Sequence, residues 1–299
     1  MAAAVMSQSE CPLIVIVGPT ASGKTSLAVR LAREFNGEII SADSRAIYKE
    51  LDVGTAKPTP LEQKQAKHWG IDLVLPSERF TAADFKEYAV QKIAEIRSRG
   101  RVPLLVGGTG LYVDSVLYDF EFTDTANLQN QRQRFEAMSL DELHDFCKSY
   151  NVILPDNYKN KRYVINTILR NGQELKRRKN PIANTIIVGI ATDKLMLRQR
   201  IEHRAEEIFS QNVIDEAHEA AEKYGWNNEA MTGNIYSLIR QNVAGSLSLD
   251  DAKRQLVTLD WRLAKRQITW FKRSVDITWL SLDDAYTYCA RTLAKVNNS

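Results

Sequence analysis

The stretch LIVIVGPTASGKTSLAVRLAREF, residues 13–35, constrains the fold more than any other part of the chain. Its apolar opening, Leu13 to Val17, reads as a buried strand. Gly18, four residues, and then Gly23-Lys24-Thr25 fit a phosphate-binding loop. Leu27, Ala28, Leu31, Ala32 and Phe35 then recur on one face of a helix expected over 25–35. The glycines let backbone N–H groups turn inward around a phosphate. The helix that begins near Lys24 points its positive dipole end at the same place. Lys24 is placed to reach phosphate oxygens, and Thr25 to offer a hydroxyl to Mg²⁺.

Other apolar runs read as strands: 38–43, 71–75, 102–108, 184–191 and 276–282. Helical patterns separate most of them, including Thr81 to Arg99, with Phe85, Tyr88, Ala89, Ile93 and Ile96. Strands alternating with helices predict an α/β fold, a P-loop NTPase-like parallel sheet with helices on both faces. The alternation breaks at Asp119. From there to about Asn180 the chain is polar and helix-like. Ser139 and Glu142 form a capping pattern for one helix, and 160–180 reads as a second helix with a basic end. The expected organisation is a P-loop core over 11–118, a helical insertion over 119–180, and a second core part over 181–299. Two long helices are expected near 194–224 and 248–273.

With 44% hydrophobic and 26% charged residues among 299, the chain can bury a sizeable core. A net charge of +3 is only mildly basic, so any nucleic-acid surface must come from local clustering. Cys11, Cys147 and Cys289 are scattered and suggest neither a zinc site nor a disulfide framework. The N-terminal residues lack the basic region of a signal peptide, and no run spans a bilayer, so a cytoplasmic location without membrane contact is expected. No interface stripe is visible, so a monomer is expected.

Three further stretches carry chemistry. SADSRAIYKELDVGTAKP, residues 41–58, places Asp43 at a strand's C-terminal end, where α/β proteins bind ligands. Asp43 either faces the phosphate site or caps the next helix. Arg45 and Lys57 are candidate phosphate or nucleic-acid contacts, or solvated surface. Gly107-Gly108-Thr109-Gly110 follows a buried strand that lacks a terminal acidic residue, which counts against ordinary ATP hydrolysis. On a helix, Arg262, Lys265, Arg266, Thr269 and Arg273 form one basic face, while Leu263, Ile268, Trp270 and Phe271 supply apolar and stacking surface. That pattern suits a phosphate backbone better than a small molecule.

In this order, GPTASGKTSLA, SADSRAIYKELDVGTAKP, HWGIDLV, FTAADF, PLLVGGTGLYVDSVL, LRQRIEHRAEEIF and RLAKRQITWF resemble the tRNA dimethylallyltransferases (tRNA isopentenyltransferases) of bacterial type. The resemblance implies that the loop holds the pyrophosphate of dimethylallyl diphosphate rather than ATP. The prenyl group would pass to the exocyclic amine of the adenosine 3′-adjacent to the anticodon in tRNA. By this match Gly18, Thr20, Ala21, Ser22, Gly23, Lys24, Thr25 and Arg45 bind pyrophosphate, with Mg²⁺ at Thr25. Asp43 takes the amine proton, helped by Lys24 and Thr25 on the leaving-group side. Thr20 and Thr109 line the reaction channel. Lys57, Arg162, Arg262, Lys265 and Arg266 are the expected tRNA contacts, with the insertion clamping the anticodon stem-loop.

The sequence also departs from the family pattern. Ala46 stands where Gln is usual, Trp69 replaces a His, and Trp261 stands at an expected Arg. Ala230 and Asn234 fall in a stretch where the family shows R-x-x-G-Y, and Asn166 stands where a basic residue is common. Most of these changes remove basic or amide groups expected to touch tRNA or pyrophosphate, so weaker or altered tRNA recognition is expected. Two other readings stay open: a transferase that prenylates free adenine nucleotides, and a P-loop kinase or RNA-binding protein without prenyl chemistry.

Overall fold

The computed structural model describes residues 11–122, 129–172, 176–210 and 212–297. It contains one six-stranded, all-parallel sheet built from β1 (Leu13–Val17), β2 (Gly37–Ser41), β3 (His68–Trp69), β4 (Val102–Gly107), β5 (Thr185–Ile190) and β6 (Thr278–Leu280). The strand order is β3-β2-β4-β1-β5-β6. Every residue of β1 and β4 is buried, as expected for central strands covered on both faces. β1 pairs Val17 with Gly107 of β4 and with Gly189 of β5. The loop that follows β1 therefore emerges beside the C-terminal ends of its neighbours.

Helix α1 (Lys24–Glu34) buries Leu27, Ala28, Leu31 and Ala32 against β1 and β4, with Ala285, Cys289 and Leu293 from α12 (Leu282–Asn297) completing that core. The other helices of this part are α2 (Pro60–Gln65), α3 (Ala82–Ser98), α4 (Gly110–Leu117), α8 (Lys194–Ser210), α9 (Val213–Tyr224), α10 (Asn234–Val243) and α11 (Leu249–Phe271). On α3 and α4, Phe85 and Tyr112 stack at 4.2 Å.

The chain divides into two compact units, Met1–Leu117 with Pro181–Ser299, and Tyr118–Asn180. The second holds α5 (Gln129–Ala137), α6 (Leu140–Ser149) and α7 (Lys161–Leu169), packed around Phe135, Leu143, Cys147, Val164, Ile165 and Ile168. Ser139 caps α6: its hydroxyl accepts the Glu142 N–H at 3.2 Å and its own N–H reaches Glu142 Oε2 at 2.6 Å.

Four expectations need correction. The run 71–75 is not a strand. Gly70 (φ 77) and Asp72 (φ 53) turn the backbone out of the extended region, and pairing with β2 uses His68 and Trp69 instead. The run covers the 46–48 loop, where Asp72 N–H reaches Ala46 O at 3.1 Å. The helix expected over 160–180 stops at Leu169, because Asn171 (φ 52) and Gly172 (φ 73) are left-handed. Of its expected basic end, residues 173–175 lie outside the described residues, and 176–180 are not helical. The helix expected over 194–224 is two, α8 and α9, with left-handed Asn212 (φ 63) ahead of the second. Finally, the strand expected over 276–282 is only Thr278–Leu280, and Leu282 begins a helix to Asn297 that closes the core under α1. Its apolar contacts are set by α1, which lies far away in sequence.

Candidate active site

The loop after β1 is shaped by its glycines where the geometry demands them. Gly18 has φ 154, and a Cβ there would lie 3.1 Å from Ser22 Oγ and 3.3 Å from Ile190 Cβ. Gly23 is left-handed at φ 90 and caps α1 with no side-chain hydrogen bond. No acidic residue sits in the first turn of α1 either. The helix start thus presents unsatisfied N–H groups and a positive dipole end. Ser22 Oγ, buried and without a hydrogen-bond partner, lies at the same point. An orphaned buried hydroxyl beside free helix amides is what an anion would satisfy.

Cations converge on this loop. Lys24 Nζ donates to Pro19 O at 2.6 Å. Burial pushes the Lys24 ammonium down to about 8; Asp43 opposes the shift and Arg204 adds to it. Arg200 Nη1 donates to Ser22 O at 3.2 Å, and Arg204 Nη1 donates to Thr20 Oγ1. Arg204 Nε is buried without a partner. Both arginines lie in the LRQRIEHRAEEIF segment, and neither is among the contacts expected from the sequence. Their i, i+4 spacing put them on one helix face, which was the available signal.

Across the sheet's C-terminal edge, Asp43 and Thr109 come together. Arg45 N–H donates to Asp43 Oδ1 at 2.8 Å, so Asp43 bonds the backbone two residues on and caps no helix. Ser44 N–H donates to Thr109 Oγ1 at 3.0 Å, and Thr109 N–H to Ala42 O at 3.2 Å. Gly107 allows this approach: a Cβ there would sit 2.1 Å from Ala42 O. Gln267 of α11 joins the two halves. Its Oε1 accepts Thr20 N–H at 2.8 Å and its Nε2 donates to Gly108 O at 3.1 Å. Loop, carboxylate and Thr109 all line one cleft of about 860 Å³.

The remaining sequence-selected residues are distributed unevenly. Arg45 lines the cleft, with its guanidinium donating to Glu229 O at 2.8 Å and Thr232 Oγ1 at 3.1 Å. Lys57 is a correction to the expected RNA contact. Its side chain is 3% exposed, and its ammonium donates to Tyr48 O, Asp52 Oδ1 and Asp72 Oδ1, each at 2.6 Å. An ammonium has three protons, and these three bonds use them all. Arg262, Lys265 and Arg266 are exposed on α11, and only Arg266 of the three lines the cleft. Arg162 is exposed on α7, in the second unit. Trp270 and Phe271 are not free stacking surface: Trp270 Nε1 donates to Asp114 Oδ2 at 2.8 Å and Phe271 is buried.

The departing residues have structural uses. Trp69 Nε1 donates to buried Glu38 at 2.6 Å. Trp261 packs on the Leu197, Ile201 and Ala264 cluster, with Lys265 Nζ 5.6 Å above its ring. Asn234 Nδ2 donates to Asp260 Oδ1 at 2.9 Å, and Asn166 accepts from Arg132. Ala46 and Ala230 are buried.

The IPP transferase family model matches residues 46–274. A tRNA dimethylallyltransferase of Staphylococcus saprophyticus is 37% identical over 285 residues, covering 90% of this chain and 90% of that protein. Another, from Acetivibrio thermocellus, is 38% identical over 288 residues, covering 91% and 92%. Among solved structures, the full-length tRNA isopentenylpyrophosphate transferase of Bacillus halodurans is similar with a TM-score of 0.73 at 32% identity. That similarity covers 96% of this chain and 98% of the other.

Proposed function

The chain belongs to the IPP transferase family, and from that premise we propose that it is a tRNA dimethylallyltransferase acting on the adenosine 3′-adjacent to the anticodon. The prenyl donor is dimethylallyl diphosphate, and the product is N6-isopentenyladenosine. The observation that carries this reading is the shared cleft, which joins a cationic, amide-rich end to the carboxylate of Asp43. Lys24, Arg200, Arg204 and the loop amides suit a leaving diphosphate, whose departure needs its growing charge neutralised. Asp43 Oδ1 is held by Arg45 N–H, which leaves its second oxygen to accept a proton. The adenine N6 attacks the allylic carbon as the C–O bond breaks. The electron pair leaves with diphosphate, and the N6 proton passes to Asp43.

Mg²⁺ fits this donor set in a limited way. Thr25 lines the cleft, and no cluster of three His, Cys, Asp or Glu side chains exists among the described residues. Mg²⁺ characteristically uses few protein ligands together with substrate phosphates. Thr25 and the diphosphate would hold the ion, which when bound spreads the diphosphate's negative charge.

The acceptor is read as the anticodon stem-loop of tRNA. Its target base must leave the stack to reach a cleft of this kind. Arg162 of the second unit and Arg262, Lys265 and Arg266 of α11 are the proposed RNA contacts. The proposed acting species is a single chain, and no helix among the described residues is long and apolar enough to cross a membrane. With Ala46 in place of Gln, RNA is held less tightly, and Ala46→Gln should raise RNA affinity.

The test is incubation with Mg²⁺, dimethylallyl diphosphate and unmodified tRNA, followed by digestion and mass analysis, with Asp43→Asn beside it. Isopentenyladenosine from the wild type and little from the variant is expected. Product from free adenosine monophosphate alone, or ADP release from ATP without prenylation, would overturn the reading.

A further inference from the structure

Glu216 of α9 does not itself line the cleft, yet it ties together two segments that do. Its Oε2 accepts the N–H groups of Asp52 at 2.6 Å and Val53 at 2.7 Å. Its Oε1 accepts Gly54 N–H at 2.9 Å and Tyr236 O–H at 2.7 Å. Consecutive amides converging on one point form a nest for an anion, and here the anion is the protein's own carboxylate. Gly54 and Tyr236 are pressed together besides: a Cβ on Gly54 would lie 2.6 Å from the Tyr236 ring carbon Cζ and its oxygen.

The cleft is lined on one side by residues from Gly54 to Pro58 and by Thr232 to Tyr236. Their attachment leads back to the chemistry. Tyr236 stands in the first turn of α10, and the turn Ala230–Thr232 just before it holds the Arg45 guanidinium through Glu229 O and Thr232 Oγ1. Arg45 N–H in turn holds Asp43. The line from Glu216 thus ends at the carboxylate read above as the acceptor of the amine proton. The phosphate loop is held separately, by Arg200, Arg204 and Gln267.

We propose that Glu216 is a positioning residue for the acceptor side of the cleft, acting through the 52–54 amides and Tyr236 without touching either substrate. This rests on the transferase reading. A carboxylate meets the requirement on both oxygens, because three of the four neighbours are backbone N–H groups that can only donate, at least one of them facing each oxygen. Glutamine would keep one acceptor oxygen for the 52 and 53 amides but turn its NH₂ toward Gly54 N–H. Aspartate keeps the acceptor character on a shorter arm. A role of shape alone ranks glutamine above aspartate; an acceptor role ranks them in reverse.

The experiment compares the full chain with Glu216→Gln and Glu216→Asp by three readouts. These are amide hydrogen exchange at 52–54, equilibrium binding of dimethylallyl diphosphate, and kcat/KM with tRNA. Glu216→Gln should lose protection at 52–54 and drop kcat/KM tenfold or more, with the Kd for dimethylallyl diphosphate within twofold of wild type. Glu216→Asp should recover part of both losses. The proposal is overturned if Glu216→Gln matches the wild type, if it outperforms Glu216→Asp, or if diphosphate binding weakens in step with kcat/KM. If the wild type prenylates no RNA, the transferase reading falls, and with it the acceptor-side role. The clamp itself is then decided by exchange at 52–54.

Discussion

Gln267 Nε2 donates to the Gly108 carbonyl at 3.1 Å, across 159 residues of sequence. The same amide accepts Thr20 N–H, so one side chain fixes the distance between the phosphate loop and the turn after β4. The contact is tight enough that a Cβ on Gly108 would lie 2.3 Å from Nε2. Gln267→Ala leaves a backbone donor and a backbone acceptor unpaired, a cost of about 1–3 kcal/mol per group. Its kcat/KM should fall by at least about tenfold, the equivalent of 1.4 kcal/mol. Gly108→Ala should do the same by displacing the intact Gln267. Steady-state kinetics with tRNA check both.

Arg204 bonds the Thr20 hydroxyl and keeps a buried Nε without a partner. Arg204→Ala should weaken dimethylallyl diphosphate binding by roughly 10- to 150-fold, the range for hydrogen bonds to a charged group. Arg204→Lys should restore only part, since an ammonium cannot reproduce a guanidinium's planar fork. Equilibrium binding without RNA isolates the effect.

Lys24 sets a pH dependence. Its ammonium is lowered to about 8 in the free protein, chiefly by burial, and only its protonated form attracts diphosphate. Diphosphate affinity should hold below pH 8 and fall above it, by up to about tenfold per pH unit. Lys24→Arg stays charged throughout, so its binding curve should lose that inflection whatever its absolute affinity. Measurement between about pH 7 and 9.5 brackets the lowered titration and stops short of an ordinary lysine's, at about 10.4.

Glu38 is the buried charge that supports the sheet edge. It receives Trp69 Nε1, Arg99 and Arg101 at 2.6, 2.8 and 2.9 Å, and its side chain is 3% exposed. Burial works to raise its pKa, but these donors outweigh burial and hold it below 4.5. A depressed carboxylate stabilises the fold above its unfolded pKa, and that stability is lost as pH falls through the folded value. Glu38→Gln should therefore cost about 2–3 kcal/mol at neutral pH, below the cost for a fully buried pair because both arginines stay partly solvated. The gap to wild type should narrow as pH falls below the ordinary glutamate range and through the lower folded value. Urea midpoints followed from about pH 7 down through the acid range test both.

Much of this protein was legible in local pattern. The runs at β1, β4 and β5 are continuous and apolar because those strands are buried on both faces, and that signal survives without knowledge of neighbours. The loop glycines are readable because their backbone angles or close approaches exclude a side chain. Asp43 is readable at a strand's C-terminal end, but its bond to Arg45 N–H, and so its freedom from a helix cap, is not. The short strand at His68 was not legible: the longer apolar run beside it had the stronger pattern, and Gly70 and Asp72 broke it.

What the sequence by itself determined is the phosphate loop, the helix behind it and the parallel α/β architecture. Each follows from residues close together in the chain, through periodicity or backbone conformation. Beyond Lys24 and Arg45, only the tertiary structure decided which of the 40 Lys and Arg residues serve the cleft. It brought Arg200 and Arg204 to the loop, enclosed Lys57 among three acceptors, and set Gln267 and Glu216 as ties between distant segments. A cation's role depends on whether packing leaves it facing a cleft, facing water or facing a carboxylate. That is set by contacts between residues far apart in sequence, which no local pattern records.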